Sequence, residues 1–255
     1  MDKDKRDVFG AYLLNRTEWI GQYELPYVDC YLEAYPDYLA VYSEKHDYHK
    51  TLNTGVCYCV HDYKFDGNVK LKKVQQEDCS VDYIDNIYNA IITRNEFMLN
   101  YYKERFKGVK FVCAPDYSTY DNMPIHQQMT NIVKSRMVFL WLKYENDVIA
   151  IPCAGFGSKT SLEWCFDGIG QGSDLFISLK SAQKEIDSIK RNKEGIKALV
   201  DKVNPRSLIV YSTACNESTL NQLTYAVDNG VKIILPDTNL RNRHKIMRGE
   251  NGNVI

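Results

Sequence analysis

Long apolar runs, an excess of one charge sign and paired cysteine motifs are all missing from this sequence. No segment approaches the roughly 18–20 consecutive apolar residues that span a bilayer. The amino-terminal MDKDKRDVFG is charged and no apolar stretch follows it, so a standard export signal is not indicated. These absences predict a cytoplasmic protein with no membrane partner.

The charge balance and the cysteine pattern narrow the class of protein further. The 32 Lys and Arg residues against 33 Asp and Glu residues give a net charge of −1, which argues against a protein whose whole surface binds nucleic acid. Eight cysteines are present, but no Cys-x-x-Cys pair occurs, so we expect free thiols in a reducing compartment. We also expect no cofactor and no metal ion.

One cysteine group invites comparison with a metal site. Cys57, Cys59 and His61 alternate along one predicted strand and share a face of it. Side chains two positions apart on a strand are separated by roughly 6.5–7 Å, too far for easy sharing of one tetrahedral ion. Packed thiols are favoured, and metal binding is left open.

A nucleophilic Cys/His pair is a further alternative. Its members would be Cys113, Cys153 or Cys165 together with His61 or His126, and the spacing in the sequence does not select one combination.

Short β-branched and aromatic runs alternate with segments of helical periodicity. The runs predict seven strands, at 39–43, 55–61, 109–114, 148–154, 174–179, 207–212 and 231–235. Apolar residues at three- and four-residue intervals predict helices at 81–106, 124–144, 186–203 and 217–228. Strands alternating with helices of this size indicate βαβ units and a parallel sheet.

The alternation predicts an α/β fold with a parallel sheet of about seven strands. Because no long crossover reverses the strand order, a complete or partial (β/α) barrel fits slightly better than the alternative, an open doubly wound sheet. No linker rich in Pro, Gly or Ser divides the chain. We therefore predict an amino-terminal extension at 1–36, one α/β domain at 37–238 and a basic tail at 239–255. In the extension, Leu13, Trp19 and Ile20 are expected to share one face of a short helix.

Aspartates recur where predicted strands end, which is where α/β folds collect functional groups. Asp62 follows the second strand, Asp116 the third and Asp237 the seventh. If the strands are neighbours, two carboxylates would face one cleft and supply an acid and a base, or a nucleophile and a stabilising group. Asp116 would be the nucleophile or general base, and Asp62 or Asp237 the partner acid. The alternative is that these aspartates cap turns or helix starts.

Further candidate site residues follow Asp116. Tyr117 and Tyr120 would form a stacking wall for the substrate, with Ser118 between them. Arg136 would orient an anionic or carboxylate group of the substrate. The ligand expected with these residues is a small molecule or a nucleotide-derived compound.

A glycine-containing loop from Gly155 to Thr160 follows the fourth predicted strand. Its backbone amides could cradle an anion, with Lys159 close by. The alternative is a simple turn that leads into the segment around Trp164.

The densest basic run lies near the carboxyl terminus and comprises Arg241, Arg243, His244, Lys245 and Arg248. Such a run could follow a nucleic-acid backbone, and binding would then depend strongly on salt concentration. A solvated tail is the favoured interpretation, because charged termini are usually mobile.

Short motifs spread over most of residues 38–237 are similar to those of a known family. They are Pro115-Asp116-Tyr117-Ser118, Tyr120, Met123-Pro124, Gln127 or Gln128, Asn131 and Arg136, then Val148-Ile149-Ala150-Ile151-Pro152, Cys165-Phe166-Asp167-Gly168-Ile169 and Leu208-Ile209-Val210-Tyr211. On these motifs the chain resembles the bacterial and phage family catalogued as domain of unknown function 4417. The resemblance implies a phage, plasmid or other mobile-element origin, and the host cytoplasm as location if a phage encodes the chain. It implies no catalytic role, because the family has no established activity.

The sequence departs from that family at two positions. Ala154-Gly155-Phe156 stands where relatives tend to have an aromatic residue, often Trp, and Tyr211-Ser212 stands where a Tyr-Gly pair is usual. Both departures would alter the floor or rim of a shared pocket.

Three functions follow as hypotheses. The leading one is a barrel-type hydrolase or transferase that acts on a glycosidic or nucleotide-derived substrate through the strand-end aspartates. The second is a non-catalytic protein that binds a small ligand or a host factor in a tyrosine-lined apolar pocket, where carboxylates do not converge. The third is a nucleic-acid accessory protein that uses the basic run.

Overall fold

The computed structural model describes residues 10–58, 85–117, 119–179, 186–212 and 217–242 of the chain. Its strands are β1 (Trp19–Ile20), β2 (Leu25–Pro26), β3 (Tyr38–Val41), β4 (Thr54–Cys57), β5 (Phe111–Cys113), β6 (Ile149–Ile151), β7 (Asp174–Ser178), β8 (Ser207–Tyr211) and β9 (Lys232–Ile234). Its helices are α1 (Ala11–Leu14), α2 (Asp85–Ile92), α3 (Glu96–Phe106), α4 (Ile125–Glu145), α5 (Ile186–Val203) and α6 (Glu217–Asp228), and another begins at Asn239. Within these ranges, no helix has the length and apolar character needed to span a membrane.

Seven of the strands form two parallel sheets. β3, β4, β5 and β6 pair in that order, and β7, β8 and β9 pair in that order. Helices occupy the connections, with α2 and α3 between β4 and β5, α4 before β6, α5 before β8 and α6 before β9. Such crossovers are what parallel pairing requires. The predicted α/β class with parallel strands is therefore confirmed.

The predicted single barrel of seven strands is not formed by these ladders. Between β6 and β7 only an isolated bridge pairs Cys153 with Phe176, and between β9 and β3 only a bridge pairs Asp237 with Tyr38. The residue directly before Cys153 and the one directly before Asp237 are both proline. Proline has no N–H to donate, so the ladder between β6 and β7 stops at Pro152, whose carbonyl accepts the Phe176 amide and therefore faces β7. Pro236 faces β8 and not β3, because the Lys232 amide donates to the Arg206 carbonyl whereas the Asp237 amide donates to the Asp37 carbonyl. The strands are thus divided into two sheets.

The predicted strands and three of the four predicted helices lie where the periodicity placed them. The exception is the segment 81–106, in which the described part forms two helices. Arg94 has a positive φ of 49°, and Asn95 caps α3 by accepting a hydrogen bond from the Met98 amide at 3.2 Å. A capping asparagine competes with the helical backbone, so it ends one helix and starts the next.

The amino-terminal segment differs from the expected helix. α1 has only four residues, and Trp19–Ile20 pairs with Leu25–Pro26 in an antiparallel hairpin. Leu13 is fully buried, whereas Trp19 and Ile20 are 50% and 36% exposed. The prediction that they share a helix face was wrong, because Gly21, at a φ of 81°, reverses the chain directly after β1.

The core lies between the strands and the helices that flank them. Every residue of β3, β4, β5 and β8 is buried, as expected for parallel strands covered on both faces. α4 buries a continuous stretch from Ser135 to Leu142. β9 differs, because Lys232 is exposed and Ile233 and Ile234 are only partly buried.

Tyrosines fill part of this core beside β3 and β4. The rings of Tyr42 and Tyr58 stack with their centroids 4.7 Å apart, and Phe106 of α3 meets Tyr42 edge-on. The Arg105 guanidinium lies 4.0 Å from the centre of the Tyr42 ring and donates to the Tyr42 carbonyl at 2.8 Å. Burial raises the pKa of Tyr42 well above its ordinary value, so the ring remains neutral.

A buried carboxylate joins the amino ends of β7 and β8 to the amino-terminal segment. Asp174 accepts hydrogen bonds from the Leu32 amide at 2.6 Å, the Ser207 hydroxyl at 2.7 Å and Arg206 Nε at 3.1 Å. Arg206 also donates to the Leu32 carbonyl at 2.7 Å. Burial raises the pKa of Asp174, but the hydrogen bonds outweigh burial and hold the pKa below its ordinary value.

Candidate functional site

A cleft opens beyond the carboxyl ends of β5 and β6, where the loops that follow these strands meet α4. We call it the β5–β6 cleft. The described residues that line it are Pro115, Asp116, Tyr117, Asn131, Ile132, Ser135, Cys153, Gly155 and Cys165. Because β5 and β6 are parallel neighbours, the loops that leave them reach the same edge of the sheet.

The backbone of β4 and β6 holds Asp116 at this cleft. Its amide donates to the Tyr58 carbonyl at 3.2 Å, and the Ala114 amide donates to the Ile151 carbonyl at 2.8 Å. The chain that leaves β5 is therefore hydrogen-bonded to the neighbouring segment on each side, and these bonds orient Asp116. Its carboxylate is half-buried, and the Cys153 thiol lies 4.0 Å from Oδ1. A carboxylate in such a partly desolvated position can take a proton from a bound substrate.

α4 supplies one wall of the cleft. The Ser135 hydroxyl donates to the Pro115 carbonyl at 2.7 Å, so it ties the helix to the chain beside Asp116. Asn131 and Ile132 lie one turn earlier on the same face of the helix. Sequence analysis did not single out Ser135, although its spacing from Asn131 and Ile132 in a predicted helix was available as a signal.

Arg136 supports this wall from behind and does not line the cleft. Its guanidinium is buried and donates to the carbonyls of Pro26 at 3.0 Å, Cys165 at 2.9 Å and Asp167. Burial lowers the pKa of Arg136 to about 10, so the group stays charged at neutral pH. The predicted anion-orienting role is not matched by this geometry, because backbone carbonyls take up the guanidinium.

The glycine-containing loop is closed by side chains. The Gly157 amide donates to Ser161 Oγ and the Ser158 amide donates to Gln128 Oε1, both at 3.0 Å. These two amides are therefore occupied and do not form the predicted anion cradle. Gly155 lines the cleft with open space where a Cβ atom would lie, whereas Lys159 is exposed and begins a short 3₁₀ helix outside the cleft lining.

The two tyrosines of the predicted stacking wall lie in different surroundings. Tyr117 is 3% exposed and contributes to the cleft lining, and Lys134 Nζ lies 5.8 Å from the centre of its ring. Tyr120 is 40% exposed and is not part of the lining. The structure therefore does not bring the two rings together at the cleft. Ser118, between them, lies outside the described residues.

Of the other two predicted catalytic aspartates, the structure describes Asp237 alone. Asp237 pairs with Tyr38 of β3, lies 3.9 Å from Arg241 Nη1 and is not part of the cleft lining. Asp62 lies outside the described residues, so its pairing with Asp116 stays a prediction.

The described cysteines at and near the cleft form no disulfide. Burial raises the pKa of Cys165 to about 12, which argues against its use as a nucleophile. His126 is exposed on the first turn of α4 and is not part of the cleft lining. Cys57 is buried in β4, whereas Cys59 and His61 lie outside the described residues. Among the residues that are described, no cluster of three or more His, Cys, Asp or Glu side chains could hold a metal ion.

The basic run contributes one described member, Arg241. It is 5% exposed, and Nη1 donates to the Leu235 carbonyl at 2.9 Å. This burial makes Arg241 poorly suited to contact a nucleic-acid backbone. Arg243, Lys245 and Arg248 lie outside the described residues.

Comparison with known proteins agrees with the family resemblance of the sequence. The chain is 30% identical over 108 residues to the Gene 1 protein of Mycobacterium phage L5, covering 42% of this chain and 47% of that protein. It is 24% identical over 121 residues to the Gene 1 protein of Mycobacterium phage D29, covering 47% and 44%. The chain thus spans about half the length of the curated relatives it matches. No solved structure matches the chain significantly. The family model described as Domain of unknown function (DUF4417) matches residues 68–228, which is more than half of the chain, and the protein therefore belongs to that family.

Proposed function

We propose that this protein is a hydrolase or transferase that acts on a glycosidic or nucleotide-derived substrate in the β5–β6 cleft, with Asp116 as nucleophile or general base. One observation carries the proposal. The half-buried Asp116 carboxylate lines a cleft at the carboxyl ends of two adjacent parallel strands, with the Cys153 thiol 4.0 Å away. This end of the strands is where enzymes with parallel α/β folds carry their catalytic groups.

The proposal includes a joined arrangement of the two sheets, as an interrupted ring of seven strands. The isolated bridges from Cys153 to Phe176 and from Asp237 to Tyr38 support it, because each is parallel and lies between edge strands of different sheets. The register of each strand pair can be followed around the ring, starting at Tyr38 and crossing both sheets and both bridges. After one turn it returns to the first strand segment at Cys30, eight positions before Tyr38, so the stagger of the ring is eight residues. A shear of about eight is also that of the (β/α)₈ barrel. A ring would gather the carboxyl ends of all seven strands at one face.

The roles at the cleft follow from burial and neighbours. Asp116 would accept the proton of the attacking group or attack directly. The Cys153 thiol would donate to the carboxylate and so orient it. Asp62 would be the partner acid. In the sequence it comes four positions after Tyr58, whose carbonyl accepts a hydrogen bond from the Asp116 amide.

The test is a turnover assay with matched variants. Wild-type protein is incubated with p-nitrophenyl glycosides and with nucleoside mono-, di- and triphosphates. Asp116→Asn should lower turnover by at least about 100-fold without lowering the melting temperature, because it removes a general base or nucleophile and leaves the volume unchanged. Asp121→Asn is the control, since that side chain is 57% exposed and pairs with Arg191 at 3.6 Å. Equal turnover by both variants would contradict the assignment of Asp116.

A second candidate, a non-catalytic small-ligand binding protein, is favoured by the composition of the cleft lining. Among its described residues Asp116 is the sole carboxylate, and apolar or neutral side chains such as Tyr117, Ile132 and Cys165 form the walls. Under this candidate, ligands from the same panel raise the melting temperature of the protein and of Asp116→Asn, and none is converted.

A further inference from the structure

An apolar groove lies on the surface between α6 and β9 and shares no lining residue with the β5–β6 cleft. Its empty volume is about 600 Å³ including its open side. Leu220, Leu223 and Val227 of α6 line it together with Ile233 of β9 and Leu235. β9 is the strand whose residues are less buried than those of its neighbours, so the groove exposes part of the sheet itself.

The exposed side chains of the groove follow helical spacing. Leu220 and Val227 are 49% and 56% exposed, and they stand seven positions apart with Leu223 between them. Residues at this spacing form one stripe of about two turns, about 10 Å long. An apolar stripe beside an uncovered strand is the surface on which a second amphipathic helix packs.

The charged residues of α6 indicate which charge a partner of the groove must carry. The helix carries Glu217 and Asp228 and has no Lys or Arg, and Asp228 lines the groove. Two lysines of α5 reach α6 outside the groove lining, where Lys193 donates to Asn221 and Lys197 donates to Tyr225, both at 2.9 Å. The groove is therefore apolar with an acidic end.

The same charges disfavour a second copy of the chain as the occupant. An antiparallel pair of α6 helices would bring Glu217 of one copy towards Asp228 of the other, and like charges at such a contact are repulsive. Charge complementarity instead requires Lys or Arg on the incoming helix.

We propose that the α6–β9 groove binds a basic amphipathic helix of a partner protein. The apolar face of that helix covers Leu220, Val227 and Ile233. Its Lys or Arg residues pair with Glu217 and Asp228. The assignment is independent of the chemistry proposed for the β5–β6 cleft.

The test uses the full chain and a synthetic probe. The probe is a helical peptide of about 14 residues with Leu at positions i, i+4 and i+7 and Lys on the flanks. A scrambled peptide of the same composition is its control. Fluorescence anisotropy should show binding at least about tenfold tighter for the amphipathic peptide. Val227→Lys and Leu220→Lys should each weaken binding at least about tenfold, whereas Ile186→Lys, at a side chain that is 83% exposed on α5, should leave it unchanged.

Charge reversal gives a second, independent readout. Asp228→Lys should weaken binding of the Lys peptide about three- to tenfold and strengthen binding of a peptide with Glu in place of Lys. Because Asp228, Leu220 and Val227 are exposed, these variants should keep the wild-type melting temperature and circular dichroism spectrum.

Four results would overturn the proposal. The first is equal binding of the scrambled peptide, and the second is an equal loss with Ile186→Lys. The third is displacement of the probe by a peptide of residues 239–255, which would assign the groove to this chain itself. The fourth is a wild-type dimer in sedimentation equilibrium that Val227→Lys dissociates, which would assign it to a second copy.

Discussion

Substituting Asp174 by asparagine should lower the melting temperature of the protein by about 6–12 °C at neutral pH. The residue is fully buried at the start of β7, and its carboxylate connects three separate parts of the chain. Its partners are the Leu32 amide, the Ser207 hydroxyl and the Arg206 guanidinium. Asparagine has a similar volume but lacks the charge and one acceptor oxygen, so the substitution tests the electrostatic contribution of these contacts.

The magnitude follows from the geometry of the contacts. Hydrogen bonds to a charged group contribute about 1.5–3 kcal/mol each, and removing one member of a buried ion pair costs about 3–5 kcal/mol. The Arg206 side chain is 46% exposed, so water can solvate the guanidinium once its partner is gone. We therefore expect the lower end of the range, about 3 kcal/mol. For a chain of this size each kcal/mol shifts the melting temperature by about 2–4 °C.

The same contacts predict a dependence on pH. The pKa of Asp174 is lower in the folded state than in the unfolded chain, so its ionised form stabilises the fold at pH values above the ordinary carboxyl pKa of about 3.9. As the pH falls from that value through the lower folded-state pKa, the unfolded chain binds the proton first and the stabilisation is lost. Thermal melts in acid should therefore show the wild type approaching the stability of Asp174→Asn.

Asp201→Asn is the matched control. Asp201 also accepts hydrogen bonds, from Lys197 at 2.8 Å and from Tyr225 at 2.5 Å, but its side chain is 48% exposed. Solvent screens such a pair, so its melting temperature should stay within about 2 °C of the wild type. The reasoning is refuted if Asp174→Asn also melts within about 2 °C of the wild type, or if both variants lose the same stability.

Three further tests by substitution examine how the helices are attached. Arg136→Lys should cost about 2–4 kcal/mol in urea unfolding, because one ammonium cannot serve three carbonyls that a planar guanidinium reaches; an unchanged midpoint would contradict this. Gly195→Ala should destabilise α5 by about 1–3 kcal/mol although alanine favours helix, because the added Cβ would clash with the Phe156 ring, and Phe156→Leu should recover part of the loss. Asn192→Leu and Gln222→Leu each break a buried 2.9 Å hydrogen bond and should cost about 1–2 kcal/mol in thermal melts, with the double variant costing less than the sum; strict additivity would argue against coupling.

Much of the secondary structure could be predicted from the sequence, because the information is local. The run Ser207–Tyr211 is a strand with every residue buried, and α6 has the predicted bounds of 217–228. The division at Asn95 was missed, although a capping asparagine followed by Glu96 is a helix-start signal. The hairpin at Trp19 was also missed, since a two-residue strand is too short to show a period.

The candidate site was predicted in part. Asp116 was identified from its position at the end of a strand, and the structure has it in a cleft. Its neighbours were not predictable, because Ser135 and Cys153 reach it from elements that are about 20 and 37 positions away in the chain. Arg136 was assigned to a ligand, since sequence does not reveal that the carbonyls of Pro26, Cys165 and Asp167 converge on it.

The sequence by itself determined the α/β class and the alternation of the seven parallel strands with helices, because periodicity and turn residues act over a few residues. Only the tertiary structure decided which strands pair and where pairing stops. It alone shows that the proline before Cys153 falls at a junction of the two sheets, where a missing N–H interrupts the ladder. It likewise decided that the Arg136 guanidinium is hydrogen-bonded to backbone carbonyls, and that the Asp116 carboxylate lines a cleft. Contacts such as that between Arg206 and Leu32 join residues that are 174 positions apart in the sequence. Tertiary packing brings such residues together, because no local signal relates them.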